Sequence, residues 1–152
     1  MIITFCGHAD FSEGKAFKAQ ALEYLEHRIG DLPALFYLGG YGGFDQFAFS
    51  CCKTLQITHP YTRLIYISPY LSESFQRNHL DTIKDQYDEI LYPDIEHVPP
   101  KYAIAHRNRW MIERADAVVA YITRTYGGAY QTYLHARRKH KEIFNLHDLN
   151  IP

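Results

Sequence analysis

Cysteine is scarce in this chain: Cys6, Cys51 and Cys52 are its three thiols, and none stands in a Cys-x-x-Cys pair. An odd count without that spacing excludes a disulfide framework or a zinc ribbon, and it suits a reducing, cytoplasmic setting. Long apolar runs are missing too. No stretch nears the roughly 18–20 residues a membrane helix needs, and no charged-then-apolar leader opens the sequence. The expected protein is soluble and cytoplasmic, without a membrane partner. An excess of one charge is also absent. Lys and Arg number 16 against 17 Asp and Glu, for a formal net charge of −1. A general nucleic-acid binder carries a clear basic excess, so nucleic acid is not the expected partner, although a local basic pocket remains compatible with the balance.

Several catalytic signatures do not occur. The His residues are scattered, His135 and His140 stand five apart, and HExxH is absent, so no metal is expected. No Ser or Cys sits in a nucleophile elbow. The glycines spell neither GxGxxG nor a loop followed by Gly-Lys-Ser/Thr, and no cofactor is expected.

What is present is a chain of 152 residues, 47% hydrophobic, long enough for one domain, 1–152, with a real core. Its 13 Tyr and 9 Phe are read mostly as core-edge or interface residues; a Tyr beside a cleft also suits a base or sugar. Met1 to Cys6 predicts a first, central strand. Phe17, Ala21, Leu25 and Ile29 recur at helical spacing, with Ser12 as a plausible N-cap and Gly30 as the stop. Ala34–Leu38 is a second strand, Phe44 to Ile57 a helix, and Arg63–Ile67 a third strand. From Ser68 to about Gln86, with Pro69, Ser72 and Ser74, a loop with some helix is expected. Tyr87–Tyr92 predicts a fourth strand near an edge. A helix from Pro100 to about Glu113 follows, with proline at its first turn. Then come the all-apolar strand Ala117–Ile122, a helix over about 129–140, and a last strand, Glu142–Leu146. Alternation of this kind predicts an α/β, three-layer Rossmann-like fold with a mostly parallel sheet of about five or six strands.

In such sheets ligands sit beyond the carboxyl ends of the strands. Three turns occupy that end. Gly7, His8 and Asp10 follow the first strand. Gly39, Gly40, Gly42 and Gly43 follow the second, with Asp45 in the first turn of the next helix. Thr123, Gly127, Gly128, Ala129 and Thr132 follow the fifth. Glycine lets a ligand approach the backbone, and a helix N-terminus offers free N–H groups to an anion. Asp45 is read either as a carboxylate complementing the helix dipole or as an acceptor for ribose hydroxyls. Arg107 and Asn108 precede the fifth strand with Arg109, and an arginine fork suits phosphate. The alternative for Arg109 is a surface pair with Glu113. His8 is read first as a structural hydrogen-bonder. The run Arg137–Lys141 is read as a solvated helix cap opposing the dipole.

The segments FCGHAD (5–10), FYLGGYGGFD (36–45), HRNRWMIERADAVVAYI (106–122), YGGAYQT (126–132) and KEIFNL (141–146) together resemble the SLOG superfamily. That Rossmann-like group includes the lonely-guy phosphoribohydrolases and the DprA/Smf proteins, and the likeness is nearest to short, single-domain bacterial members of the DUF1273 kind. The resemblance implies an active-site role for Arg107, which stands four before Met111, with Ala115-Asp116 following as in the enzymes. It also implies a catalytic Glu after the last glycine turn, where this chain has Tyr133 or its neighbours. A carboxylate near the sugar is the usual stabiliser of an oxocarbenium-like charge. Its loss leaves Asp45 and Arg107 as the catalytic candidates, with Asp10 a further substitute. The nearest branch often has GHRD after its first strand; here Ala9 replaces the Arg.

The leading expectation is therefore a binding module for a nucleotide or nucleotide-sugar derivative, sensing or sequestering it. Arg107→Ala is expected to abolish binding with the fold intact. The alternatives are a nucleoside-monophosphate phosphoribohydrolase or related transferase, and a DNA-binding or interaction protein with a vestigial pocket. Members of the group commonly dimerise through helices, so a homodimer is the implied assembly.

Overall fold

The computed structural model describes residues 1–69, 73–95 and 97–147. Within them, strands and helices alternate: β1 (Ile2–Gly7), α1 (Gly14–Ile29), β2 (Ala34–Leu38), α2 (Gly43–Thr58), β3 (Thr62–Ile67), α3 (Glu73–Ile83), β4 (Glu89–Leu91), α4 (Pro100–Arg114), β5 (Ala117–Tyr121), α5 (Gly128–Arg138) and β6 (Glu142–Asn145). The six strands form a parallel sheet in the order β4-β3-β2-β1-β5-β6. All five residues of β5 are buried, as a strand covered on both faces requires. Helices α1 and α2 pack together, as do α4 and α5.

The apolar spacing read from the sequence explains the layers. Leu25 and Ile29 of α1 and Phe44, Ala48 and Leu55 of α2 pack with Phe5, Phe36 and Val119 of the sheet. Ile112 of α4 and Ala136 of α5 pack with Val118 and Ala120. Alternate residues of one strand thus serve opposite layers. Each large side chain buried in this way contributes roughly 1.5–3 kcal/mol.

The chain steps outward from β1 to β4, then α4 carries it back to β5 on the other side of β1. That reversal leaves a crevice between the loops after β1 and β5. Register fixes it: Cys6 lies beside Ala120 and Gly7 beside Tyr121.

Some local expectations are corrected. Ser12 does not cap α1; Glu13 occupies the cap position without a capping bond, and its carboxylate instead accepts the Tyr121 hydroxyl at 2.9 Å. The fourth strand is shorter than 87–92. The Asp88 carboxylate accepts the Leu64 amide at 2.8 Å and the Gln56 side chain at 2.9 Å, closing the ladder before Glu89. The polar stretch after Ser68 forms helix from Glu73; the part of the expected loop at Ser72 lies outside the described residues, as does the end of the domain beyond 147. Arg109 does not pair with Glu113, whose carboxylate meets His135 of α5 at 3.3 Å.

A candidate ligand cleft at the carboxyl end of the sheet

A cavity of about 250 Å³ occupies the crevice between β1 and β5. Gly7, His8 and Ala9 form one wall, with Tyr41 and Asp45 beside them. Ile104, Arg107 and Asn108 of α4 form another. Arg124, Gly127, Gly128, Ala129 and Thr132 complete it.

The start of α5 is bare backbone. Gly127, its N-cap, has φ 90° and ψ 174°, a region open essentially to glycine alone. A Cβ added at Gly127 or Gly128 would meet nothing within 4 Å. No side chain caps the helix, and the first turn closes with Gln131 N–H donating to the Gly127 carbonyl at 3.1 Å. The amides of residues 128–130 are therefore free donors at the positive end of the helix dipole.

His8 sits opposite. It is 3% exposed, and its Nε2 accepts the Thr123 amide at 3.1 Å. That bond fixes the tautomer: Nδ1 carries the proton, and no described residue accepts it. Burial, then the Arg124 charge, lowers the His8 pKa against the opposing pull of Asp10. His8 is thus a neutral donor on the cavity wall.

Arg124 follows β5. Its Nη1 and Nη2 each donate to Asp10 at 3.2 Å, and its guanidinium stands over the Tyr126 ring at 5.4 Å. The Nε is buried with no partner among the described residues. The hydrogen bonds of this fork hold the Asp10 carboxyl below its usual range.

Arg107 is nearly sealed, at 1% exposure. Nη1 donates to the Gly39 carbonyl at 2.8 Å and the Ile67 carbonyl at 3.0 Å; Nε donates to Asn108 Oδ1 at 2.9 Å. It therefore ties α4 to the carboxyl ends of β2 and β3. Its removal would take the partner from both carbonyls, so Arg107→Ala bears on stability as well as on binding. Asp45 Oδ2 accepts the Tyr41 amide at 2.8 Å, while no described residue bonds Oδ1. Burial raises the Asp45 pKa, with Arg107 pulling the other way.

The glycines of the second turn are placed differently from the expected cradle. A Cβ at Gly39 would lie 3.0 Å from the Arg107 guanidinium, one at Gly42 2.8 Å from Ala9, and one at Gly43 2.1 Å from the Phe11 carbonyl oxygen. Gly43 N–H also donates to the Ala9 carbonyl at 2.7 Å. These glycines let the β1 loop and Arg107 approach, and they do not line the cavity. Gly40 lines a neighbouring cavity. Asp10 stands behind Arg124, and Thr123 contributes through its amide to His8. Of the expected residues, the structure gathers Gly7, His8, Asp45, Arg107, Asn108, Gly127, Gly128, Ala129 and Thr132 on one wall system.

Sequence reasoning passed over Arg124, Tyr41 and Ile104. Arg124 had a signal: a lone arginine just after a buried strand, two positions before the Tyr-Gly-Gly. Cys6 also lines the cavity, where burial pushes its thiol up to about 12 and so favours the protonated form. Tyr133, where the enzymes' Glu is implied, does not line the cavity; its ring lies 6.2 Å from Tyr130 and under Arg137.

Neither a family model nor a curated protein matches the chain. Solved structures do. DNA processing protein A from Streptococcus pneumoniae superposes with a TM-score of 0.63 at 18% identity, over 94% of this chain and 49% of that one. The Helicobacter pylori protein of the same name, described in its single-stranded DNA binding mode, gives 0.62 at 19%, over 95% and 64%. The chain has the Rossmann-like fold of DNA processing protein A. It spans about half the length of the Streptococcus pneumoniae protein. This is the fold the resemblance implied, reached through structure at an identity where sequence alone finds no match.

Proposed function

We propose that the cleft binds a small phosphate-bearing ligand of the nucleotide class. The observation that carries this reading is the uncapped, side-chain-free start of α5 facing a cavity into which His8 brings an unclaimed donor. Free helix-terminal amides and a neutral imidazole N–H form a donor set suited to an oxyanion, and the Arg124 guanidinium, forked onto Asp10, adds positive charge beside them. Tyr41, 63% exposed on the rim, offers a face for a base or sugar. Calorimetric titration with phosphate and nucleoside monophosphates tests the reading. Saturable binding that weakens at least tenfold in Arg124→Gln supports it; no binding, or binding indifferent to that change, overturns it.

The sheet and cleft are also those of an enzyme site only if a carboxylate serves it. Asp45 is the one carboxylate on the described cavity wall, with one oxygen unbonded. Release of free base from AMP, abolished in Asp45→Asn, would place the protein among N-glycosidic-bond enzymes.

A third reading, single-stranded DNA, draws on the Helicobacter pylori protein's described binding mode and on the exposed Arg137, Arg138 and Lys139 at the end of α5. The likeness gives no support to excluding nucleic acid. Retention on single-stranded DNA that falls steeply with salt, and is lost when Arg137 and Arg138 become Ala, favours this reading.

A further inference from the structure

The loops after β1 and β5 form two rims of the cleft, and one side chain spans them. Arg124 donates from Nη1 and Nη2 to the Asp10 carboxylate, at 3.2 Å each. The two ends of that span are held very differently. On the β1 side the Ala9 carbonyl accepts the Gly43 amide at 2.7 Å, and the His8 carbonyl accepts the Phe11 amide at 3.1 Å. Backbone bonds thus fix the chain on both flanks of Asp10. On the β5 side the Thr123 amide is fastened to His8. Over residues 124–126 the described hydrogen bonds all come from the Arg124 fork. Gly127, at φ 90°, ends the stretch, and a Cβ there or at Gly128 would meet nothing within 4 Å. The stretch has a hinge, room to turn, and a side chain for its fastening.

That fastening is finely balanced. The pair is open to water, with the Arg124 side chain 34% and the Asp10 side chain 70% exposed, and an exposed ion pair stabilises little. Against it stands the Arg124 Nε, buried without a partner among the described residues. A buried donor left unpaired costs at least as much as such a pair returns. The states with the fork on Asp10 and off it therefore lie close in free energy, as a two-state element requires. Their mutual hydrogen bonds lower the Asp10 pKa and raise that of Arg124, so both stay charged near neutral pH, and dissolved salt is what loosens them. Size points the same way. With the fork on Asp10 the cavity measures about 250 Å³, just under the roughly 300–1,000 Å³ of ligand sites, and withdrawing Arg124 from its wall enlarges it.

We propose that the Arg124–Asp10 pair is a salt-sensitive latch: closed, it holds residues 124–126 to the β1 loop and narrows the cleft; released, the stretch turns about Gly127 and opens it. Tyr126, whose ring lies 5.4 Å from the guanidinium, moves with it. The latch is a property of the free protein and holds whatever the cleft binds.

Cys6 is a built-in reporter. It lines the cavity at 5% exposure, whereas Cys51 and Cys52 are buried in α2. The test is the rate at which iodoacetamide, an uncharged reagent, labels these cysteines in the full chain, read on the separate peptides by mass spectrometry. Asp10→Ala is expected to speed Cys6 labelling roughly two- to fivefold, the range an exposed ion pair supplies. Arg124→Gln is expected to do the same. The two changes shift the charge near the thiol in opposite senses, so a rise in both reports access and not thiol acidity. Raising NaCl from about 0.05 to about 0.5 M should speed Cys6 labelling in the parent and in neither variant. Labelling of Cys51 and Cys52 should stay at the parent rate throughout. A Cys6 rate unchanged in Asp10→Ala, or a parent rate indifferent to salt, overturns the latch. A rise in Arg124→Gln alone overturns it by making Arg124 a static plug. A rise matched at Cys51 and Cys52 overturns it by showing a fold loosened throughout.

Discussion

His8 and Thr123, 115 positions apart, are joined by one hydrogen bond in which the Thr123 amide donates to His8 Nε2 at 3.1 Å. The bond fastens the loop after β5 to the loop after β1 and sets the imidazole tautomer facing the cleft. It also makes the loop pair sensitive to acid. A protonated imidazole has no acceptor nitrogen left for the amide.

The sign of the resulting pH effect follows from the lowered His8 pKa, caused by burial and then by Arg124. The unfolded chain takes up the proton near pH 6.5, before the folded one does. The stability His8 contributes is therefore full above about 6.5 and declines as pH falls through the folded pKa. Urea unfolding between pH 7.5 and 5 should show a falling midpoint in the parent protein. In His8→Gln that component of the slope should be absent, and an unchanged slope would contradict the assignment.

Arg107→Ala should be costly. It orphans the Gly39 and Ile67 carbonyls, each buried acceptor costing roughly 1–3 kcal/mol when left unpaired. A loss of about 2–4 kcal/mol in urea denaturation is expected. Arg107→Lys keeps a charge but not the fork geometry, and should lie between. A stable, fully folded alanine variant would show that the two carbonyl bonds matter little.

Gly127 and Gly128 should separate fold from binding. Gly127→Ala forces a side chain into φ 90° and should destabilise by about 1–3 kcal/mol. Gly128 has no positive φ and an added Cβ meets nothing within 4 Å. Gly128→Ala should therefore melt at or above the parent temperature, while its methyl projects into the cleft and weakens phosphate binding. Unimpaired phosphate binding in Gly128→Ala would move the anion away from α5.

Asp45→Asn distinguishes binder from enzyme. An amide oxygen can still accept the Tyr41 N–H, so the α2 start should hold. Because burial raises the Asp45 pKa, its contribution to stability is full below about 3.8 and is lost as pH rises through the folded pKa. Asparagine removes that loss, and thermal unfolding at pH 7 should be unchanged or slightly higher. Phosphate binding should tighten as a negative charge leaves the cleft. Weaker phosphate binding would show the carboxylate serving the ligand in another way.

The second glycine turn shows where linear reading stops. Gly39, Gly42 and Gly43 look like a ligand cradle because glycine spacing reports only that something comes close to the backbone. In the fold that something is Arg107, Ala9 and Phe11. Gly127 and Gly128, identical in kind, have empty space before them. Similarly, the sequence offers Asp10 as a ligand contact but gives no sign that its carboxylate also holds Arg124, 114 positions later.

By itself the sequence determined the alternation of strands and helices, the burial of Ala117–Ile122, and the end of the sheet where the turns collect. Those follow from local periodicity and from glycine and proline chemistry, which act within a few residues. Only tertiary structure decided that the loops after β1 and β5 share one cleft, that Arg107 spends its fork on carbonyls, and that Arg124 reaches back to Asp10. Each of these depends on strand order across the sheet, and parallel crossovers bring together residues that no local pattern links.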